Sequence, residues 1–166
     1  MRRNKGHEVK VALVAVGAPK MAALAAAIRE YEGRISHYFR YEVVEIRGRR
    51  LTPGADTARI ADEESRELQA RVPAGLELVA LDEDGERWSS ERLADYLGEL
   101  ATLGKPGAAF VIGGPAGLSK ALCRTADRVL CLSSFTLPHE LARLVLVEQI
   151  YRAGTIQRSE PYHRGG

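Results

Sequence analysis

A glycine-rich segment, Gly113-Gly114-Pro115-Ala116-Gly117-Leu118, follows an apolar run and precedes a helical pattern. Its glycines can adopt positive φ angles and let a ligand approach the backbone closely. The segment does not match the GxGxxG fingerprint of dinucleotide-binding proteins, and it lacks the Lys-Ser/Thr ending of a P-loop. It therefore predicts either a nucleoside site or a tight strand-to-helix turn, and its residues alone leave both interpretations open.

A second segment with ligand-binding character is Leu132-Ser133-Ser134-Phe135-Thr136-Leu137-Pro138-His139, which mixes hydroxyl groups with apolar side chains. An adenine ring carries no charge, so apolar contacts to its face and backbone groups at its edge are enough to bind it. We hypothesise that this segment wraps an adenine.

The C-terminal tail carries three side chains that suit work on nucleic acid. Tyr162 can stack on a base, His163 can move a proton, and Arg164 can hold a phosphate. Chain ends are usually frayed, so an uninformative tail is the other interpretation.

The segment 138–153 predicts a helix that is apolar around most of its circumference. Such a helix is buried on more than one side, and in a small chain we expect the second burying surface to be another subunit. Arg143 is one of its few polar residues, and Glu148 and Arg152 have the i, i+4 spacing of a helix ion pair. The apolar residues are Leu141, Leu144, Val145, Leu146, Val147, Ile150 and Tyr151.

Short β-rich runs alternate with longer helical segments along the chain. The strands are predicted over 9–16, 41–46, 76–81, 108–112 and 129–132. The helices are predicted over 20–39, from Asp56 to the Pro73–Gly75 break, from Ser89 or Ser90 to Gly104, over 119–126 and over 138–153.

This order of elements predicts an α/β fold with a mostly parallel sheet and helices on both faces. In such sheets, ligands bind beyond the carboxyl ends of the strands. The rule directs attention to the loops that follow Leu81, Ile112 and Leu132.

A length of 166 residues suits one domain spanning residues 1–166, with the first eight residues, MRRNKGHE, forming a flexible basic arm. No stretch approaches the ~20 apolar residues that a membrane span needs, and no signal peptide is visible, so a cytoplasmic location is expected. Cys123 and Cys131 have no partners at metal-ligand spacing, which predicts two core residues and no metal site.

The net charge of +2 is spread unevenly along the chain. Residues 1–50 carry 11 basic and 5 acidic side chains, residues 51–100 carry 5 and 13, and residues 101–166 carry 8 and 4. Basic ends around an acidic middle permit a basic face that attracts a phosphate backbone, and the other interpretation is a solvated surface without a partner.

Taken together, the segments resemble the RlmH family, whose members are ribosomal RNA large-subunit methyltransferases of the SPOUT class. The resemblance rests on VALVAVG at 11–17, GGPAGL at 113–118, LSSFTLPH at 132–139, RLVLVEQIYRA at 143–153 and PYHR at 161–164. LDEDGERWSS at 81–90 is similar to the LD-x-x-G-K-x-x-S-S segment of that family, except that Glu86 stands where the family has Lys.

The resemblance implies a SPOUT fold with a C-terminal trefoil knot, a homodimer, and S-adenosylmethionine bound in the knot. It also implies methylation of N3 of a pseudouridine in 23S ribosomal RNA within the assembled ribosome. The implied catalytic residues near the target base are Arg143, Tyr162, His163 and Arg164. The implied cofactor contacts are Leu81, Gly113, Leu132, Ser133, Ser134, Phe135, Thr136 and Leu137.

Methylation of N3 requires loss of its proton, because the lone pair is otherwise tied up in the imide. His163 is the base of suitable intrinsic pKa, and Arg143 or Arg164 would stabilise the developing anion. Two alternatives remain at this point. One is a SPOUT methyltransferase for another RNA such as tRNA, and the other is a non-catalytic ribosome- or RNA-binding module.

Overall fold

The computed structural model of the chain describes residues 8–164, with the side chains of His163 and Arg164 outside the described part. Its centre is a five-stranded sheet in the order β2-β1-β4-β3-β5, and neighbouring strands pair in parallel. This confirms the predicted parallel α/β sheet. Residues 1–7 of the expected basic arm lie outside the described residues. The strands are β1 Lys10–Val16, β2 Arg40–Ile46, β3 Glu77–Arg87, β4 Gly107–Ile112 and β5 Arg128–Cys131.

Helices connect the strands, and side-chain caps fix where three of them begin. Asp56 accepts a hydrogen bond from the Arg59 amide at 3.0 Å, and Ser89 accepts one from the Arg92 amide at 3.1 Å. Each cap satisfies a backbone donor that the first helical turn leaves unpaired. Ser119 caps the fourth helix in the same way. The helices are α1 Ala22–Ile35, α2 Thr57–Arg71, α3 Ser90–Thr102, α4 Lys120–Thr125 and α5 His139–Gln157, followed by a 3-10 turn, Pro161–Arg164.

The sheet is covered on both faces because successive residues of a strand point to opposite sides. Leu13 of β1 belongs to a core formed with α1, α3 and α5, whereas its neighbour Val14 belongs to a second core formed with α2 and α4. β1 and β4 lie inside the sheet, and both are apolar almost throughout. Their carboxyl ends lie at the same end of the parallel sheet, and the predicted site loops begin at that end.

Three element boundaries differ from the sequence prediction by more than two residues. α1 ends at Ile35 instead of continuing to residue 39, because Phe39 turns into the core and is only 3% exposed. β3 runs six residues beyond Leu81, to Arg87. α5 passes through Gly154 and ends at Gln157, because the missing Cβ leaves room for the Tyr38 ring.

Candidate active site

A cleft of about 770 Å³ opens at the carboxyl ends of β4 and β5, beside the middle of β3. Its volume lies within the ~300–1,000 Å³ that small-molecule sites usually have. Ser134 is the one predicted cofactor contact that does not line the cleft, and it is exposed. The structure brings together the other predicted contacts along its walls, namely Leu81, Gly113, Leu132, Ser133, Phe135, Thr136 and Leu137.

The glycine segment is a tight turn that also forms one wall of the cleft. A Cβ at Gly113 would lie 2.6 Å from the carbonyl carbon of Gly117, so the turn itself excludes a side chain there. Gly117 has a φ of 76°, in the left-handed region that favours glycine. The tight-turn interpretation is therefore confirmed, and the turn presents bare backbone to the cleft.

The loop after β5 is held in shape by its own polar groups. Ser133 Oγ accepts a hydrogen bond from the Phe135 amide at 2.9 Å, and Cys131 Sγ lies 3.1 Å from the Ser133 carbonyl oxygen. Phe135 is 83% exposed, although its side chain is apolar and borders the cleft. The loop thus offers an apolar surface and turned backbone groups without any charged side chain.

A bulge in β3 adds carboxylates to the rim of the cleft. Leu81 and Glu86 both pair with Leu130, so the four residues between them protrude from the ladder. A Cβ at Gly85 would lie 2.7 Å from the backbone of β5, which explains a glycine at this close approach. The sequence reasoning pointed to the loop after Leu81 but did not single out the residues that the bulge and α4 place on the cleft, which are Asp82, Glu83 and Lys120.

Arg143 lies on α5, is 5% exposed and faces α1 and β2. Its guanidinium donates to Glu45 at 2.6 Å and to Glu32 at 3.1 Å. Burial alone would lower the pKa of Arg143, but the two carboxylates outweigh it and raise that pKa. Arg143 also lines a small cavity beside Gly113, so it lies near the cleft with its charge already paired.

Tyr162 packs on its own chain, away from the cleft. Its hydroxyl lies 3.1 Å from Glu148 Oε1, and its ring contacts Tyr151 with centroids 4.7 Å apart. Burial, followed by the hydrogen bond with Tyr31, raises the pKa of Tyr162, so its phenol stays protonated at neutral pH. The predicted side-chain roles of His163 and Arg164 fall outside the described residues.

The tail and the cleft lie at different ends of α5. His139 lines the cleft at the start of the helix, and Tyr151 contacts the tail twelve residues later. At 1.5 Å per residue, these positions are about 18 Å apart along the helix axis. The predicted ion pair between Glu148 and Arg152, at 2.6 Å, is confirmed at the tail end.

Residues 9–163 match the family described as Predicted SPOUT methyltransferase. The chain is a SPOUT methyltransferase. The match spans all five strands, the helices α1 to α5 and the cleft, and it confirms the SPOUT class that the sequence motifs predicted. Among residues 8–164 of this SPOUT methyltransferase, no helix is long and apolar enough to cross a membrane, and no cluster of potential metal ligands is found.

Curated relatives share nearly the whole length of this SPOUT methyltransferase. A protein of Gemmatimonas aurantiaca named Ribosomal RNA large subunit methyltransferase H is 46% identical over 159 residues, which cover 94% of this chain and 100% of that protein. A protein of the same name from Anaeromyxobacter sp. is 44% identical over 156 residues, with the same coverage. The resemblance to the RlmH family is thereby confirmed.

Solved structures share the fold at low identity. The "Probable Methyltransferase from Bordetella pertussis Tohama I" superposes with a TM-score of 0.53 at 15% identity, covering 89% of this chain and 96% of that one. TrmJ from Z. mobilis ZM4 gives a TM-score of 0.50, also at 15% identity, covering 88% of this chain and 69% of that one. These likenesses concern the fold alone.

Proposed function

We propose that this SPOUT methyltransferase transfers a methyl group from S-adenosylmethionine to N3 of a pseudouridine in 23S ribosomal RNA within the assembled ribosome. The observation that carries the proposal is one cleft that brings together seven of the eight residues that the RlmH resemblance assigns to the cofactor. The shared name of the full-length relatives supports ribosomal RNA as the substrate.

The chemistry of the cleft fits S-adenosylmethionine. The bare backbone at Gly113 and Gly114 allows close approach, and the apolar loop 132–137 suits an adenine ring. Asp82 and Glu83 are acceptors at the rim for ribose hydroxyls. When bound, S-adenosylmethionine supplies a methyl group on an electrophilic sulfonium.

The residues of the chain contribute mainly alignment and charge to the reaction. The cleft loops would hold the methyl donor in line with N3, which lowers the entropic part of the barrier. N3 gains the methyl group and loses its proton, and His163 is the proposed acceptor of that proton. Arg143 and Arg164 are proposed to stabilise the anion, and Tyr162 to stack on the base.

A homodimer would bring a tail to each cleft. Tyr162 packs about 18 Å along α5 from the cleft of its own chain, so we propose that the tail serves the cleft of the partner subunit. α5 supplies a surface for pairing, because Leu141 and Val145 are half-buried and belong to neither core. In this arrangement neither subunit has a complete active site by itself.

The carboxyl-terminal half is proposed to carry the trefoil knot, and residues 1–166 to form a single domain. β5 pairs with β3 and not with β4, the strand that precedes it, so the chain returns across the sheet after the glycine segment. The loops that follow β4 and β5 then meet in one cleft. Such a return is the path on which a knot would form.

Ribosomes isolated from cells lacking this protein are the test substrate. We expect the purified protein to transfer labelled methyl groups to large subunits or whole ribosomes far faster than to a naked hairpin of the same sequence. Mass spectrometry of digested 23S RNA should then locate the label on N3 of one pseudouridine. Transfer should weaken as salt rises, because phosphate contacts release counterions.

Three results would contradict the proposal. Equal turnover on the naked hairpin would show that ribosomal shape is not recognised, and label on tRNA instead of 23S RNA would favour the alternative substrate. Ribosome binding without any methyl transfer, in a protein that does not bind S-adenosylmethionine in calorimetry, would identify a non-catalytic module.

A further inference from the structure

Two consecutive buried polar residues, Glu64 and Ser65, lie on α2 outside the cleft. They are 1% and 2% exposed, and a carboxylate is rarely buried so completely without a partner. Glu64 Oε1 accepts a hydrogen bond from the Arg49 amide at 2.7 Å, and Ser65 Oγ accepts one from the Ser119 amide at 2.8 Å. One turn of α2 therefore holds two loops that are far apart in sequence.

The first of these loops is the basic loop, Arg47-Gly48-Arg49-Arg50, which follows β2. All four of its residues are exposed, so its cations face solvent. The Arg49 side chain is paired with Glu63 at 2.8 Å, whereas Arg47 and Arg50 have no ion pair with any residue in 8–164. Arg47 and Arg50 are thus the members of the loop that remain available to a phosphate backbone.

The second is the glycine segment, residues 113–118, which ends at Ser119 and forms a wall of the cleft. It approaches the basic loop closely. A Cβ at Gly48 and a Cβ at Gly114 would each lie 3.0 Å from the same atom, Val16 Cγ1. The Gly114 Cβ would also lie 3.1 Å from Glu64 Oε2, an oxygen without a hydrogen-bond partner.

We propose that Glu64 is a positioning residue for RNA binding, which fixes the basic loop beside the wall of the cofactor cleft. The inference rests on the proposed function, since it assumes that the RNA reaches this cleft. Glu64 does not line the cleft itself, so it acts through the backbone of Arg49. Without that link, Arg47 and Arg50 would sample many positions, and ordering them would oppose RNA binding.

The test compares Glu64→Ala with Glu64→Gln. Alanine removes the acceptor for the Arg49 amide, whereas glutamine keeps a carbonyl oxygen that can accept from it. We expect Glu64→Ala to raise the KM for large subunits about tenfold, the cost of one lost buried hydrogen bond. The kcat at saturating subunits and the Kd for S-adenosylmethionine should change less than about threefold, and Glu64→Gln should restore the KM.

Amide hydrogen exchange supplies a readout that does not depend on the reaction. The Arg49 amide should exchange slowly in the wild type and in Glu64→Gln, and fast in Glu64→Ala. Asp62→Asn is the matched control, because Asp62 is an exposed carboxylate on the same helix. It should leave both the exchange rate and the KM unchanged.

The outcomes separate this inference from the proposed function. If the Arg49 amide exchanged fast in Glu64→Ala while the KM stayed unchanged, the positioning role would be overturned and the methyltransferase proposal would remain intact. A fall in kcat at constant KM would overturn the positioning role too. A wild type that methylates no ribosomal RNA would defeat the proposed function, while the exchange result would still report on the loop.

A second variant applies if Glu64→Ala does not fold. Gly48→Ala leaves the carboxylate in place but adds a Cβ 3.0 Å from Val16 Cγ1, which should push the basic loop outward. We expect the same rise in KM and the same faster exchange at Arg49. Faster exchange at Arg49 with a wild-type KM in Gly48→Ala would overturn the inference.

Discussion

At the residue scale, Gly113 illustrates how one missing Cβ serves both structure and binding. Its neighbours across the turn leave no space for a side chain, and the resulting bare backbone lines the cleft. Gly33, near the end of α1, has nothing within 4 Å of a Cβ position, so its lack of a side chain serves no packing purpose. The two glycines therefore form a matched pair for substitution.

We expect Gly113→Ala to weaken binding of S-adenosylmethionine tenfold or more, because overpacking a tight turn costs about 1–3 kcal/mol. Gly33→Ala should leave the Kd unchanged and raise the free energy of unfolding by about 0.5–1 kcal/mol, since alanine favours a helix over glycine. Calorimetric titration and denaturant unfolding measure these quantities. If a folded Gly113→Ala protein had the wild-type Kd, S-adenosylmethionine would bind somewhere other than beside Gly113.

At the element scale, α5 connects the parts of the proposed active site. It starts at the cleft, buries Arg143 against Glu32 and Glu45, and ends beneath the Tyr162 ring. None of its residues from His139 to Ile156 is fully exposed, even without a second subunit. The helix thus links the cleft at its start to the packed tail near its end.

The variant Val145→Glu tests the proposed pairing surface, because a carboxylate is costly to bury in an apolar interface. Sedimentation at micromolar concentration should show a particle near 18.2 kDa for this variant and about twice that mass for the wild type. Ala70→Glu is the control, since Ala70 is an exposed residue of α2 on the other face of the sheet. A Val145→Glu protein that remains dimeric would place the interface elsewhere.

At the scale of the whole molecule, the proposed dimer would make the active site a property of two chains, because Tyr162 packs about 18 Å along α5 from the cleft of its own chain. A protein lacking residues 162–166 should bind S-adenosylmethionine almost normally but fail to methylate ribosomes. The Gly113→Ala protein should also fail to methylate ribosomes, because it keeps the tail but binds S-adenosylmethionine too weakly. When the two variants are mixed and their subunits exchange, the mixture should recover about a quarter of wild-type activity. Half of the dimers then contain one chain of each variant, and one of the two sites in each such dimer is intact.

Activity of the tail-deleted protein alone, at the wild-type rate, would contradict the role of the tail. Failure of the mixture to recover any activity, despite proven exchange of subunits, would show that each cleft uses its own tail. Deleting the tail could also loosen the end of α5. The Tyr162→Ala variant controls for this effect, because it removes the ring that contacts Tyr151 without shortening the protein.

Sequence by itself determined the alternation of strands and helices, the caps at Asp56 and Ser89, and the loops that border the cleft. These features depend on local patterns, since apolar periodicity, capping residues and glycine turns act over a few residues. The RlmH motifs added the expected cofactor residues for the same reason, because each motif is a short continuous stretch of the chain.

Only the tertiary structure decided which distant groups meet. The bulge in β3 depends on pairing with β5, and the burial of Glu64 against Gly114 depends on how α2 packs on the sheet. The sequence indicated Arg143 as a residue near the target base but not its partners, Glu32 and Glu45, which lie 111 and 98 residues earlier. Contacts across such separations arise from packing in three dimensions, which no local pattern encodes.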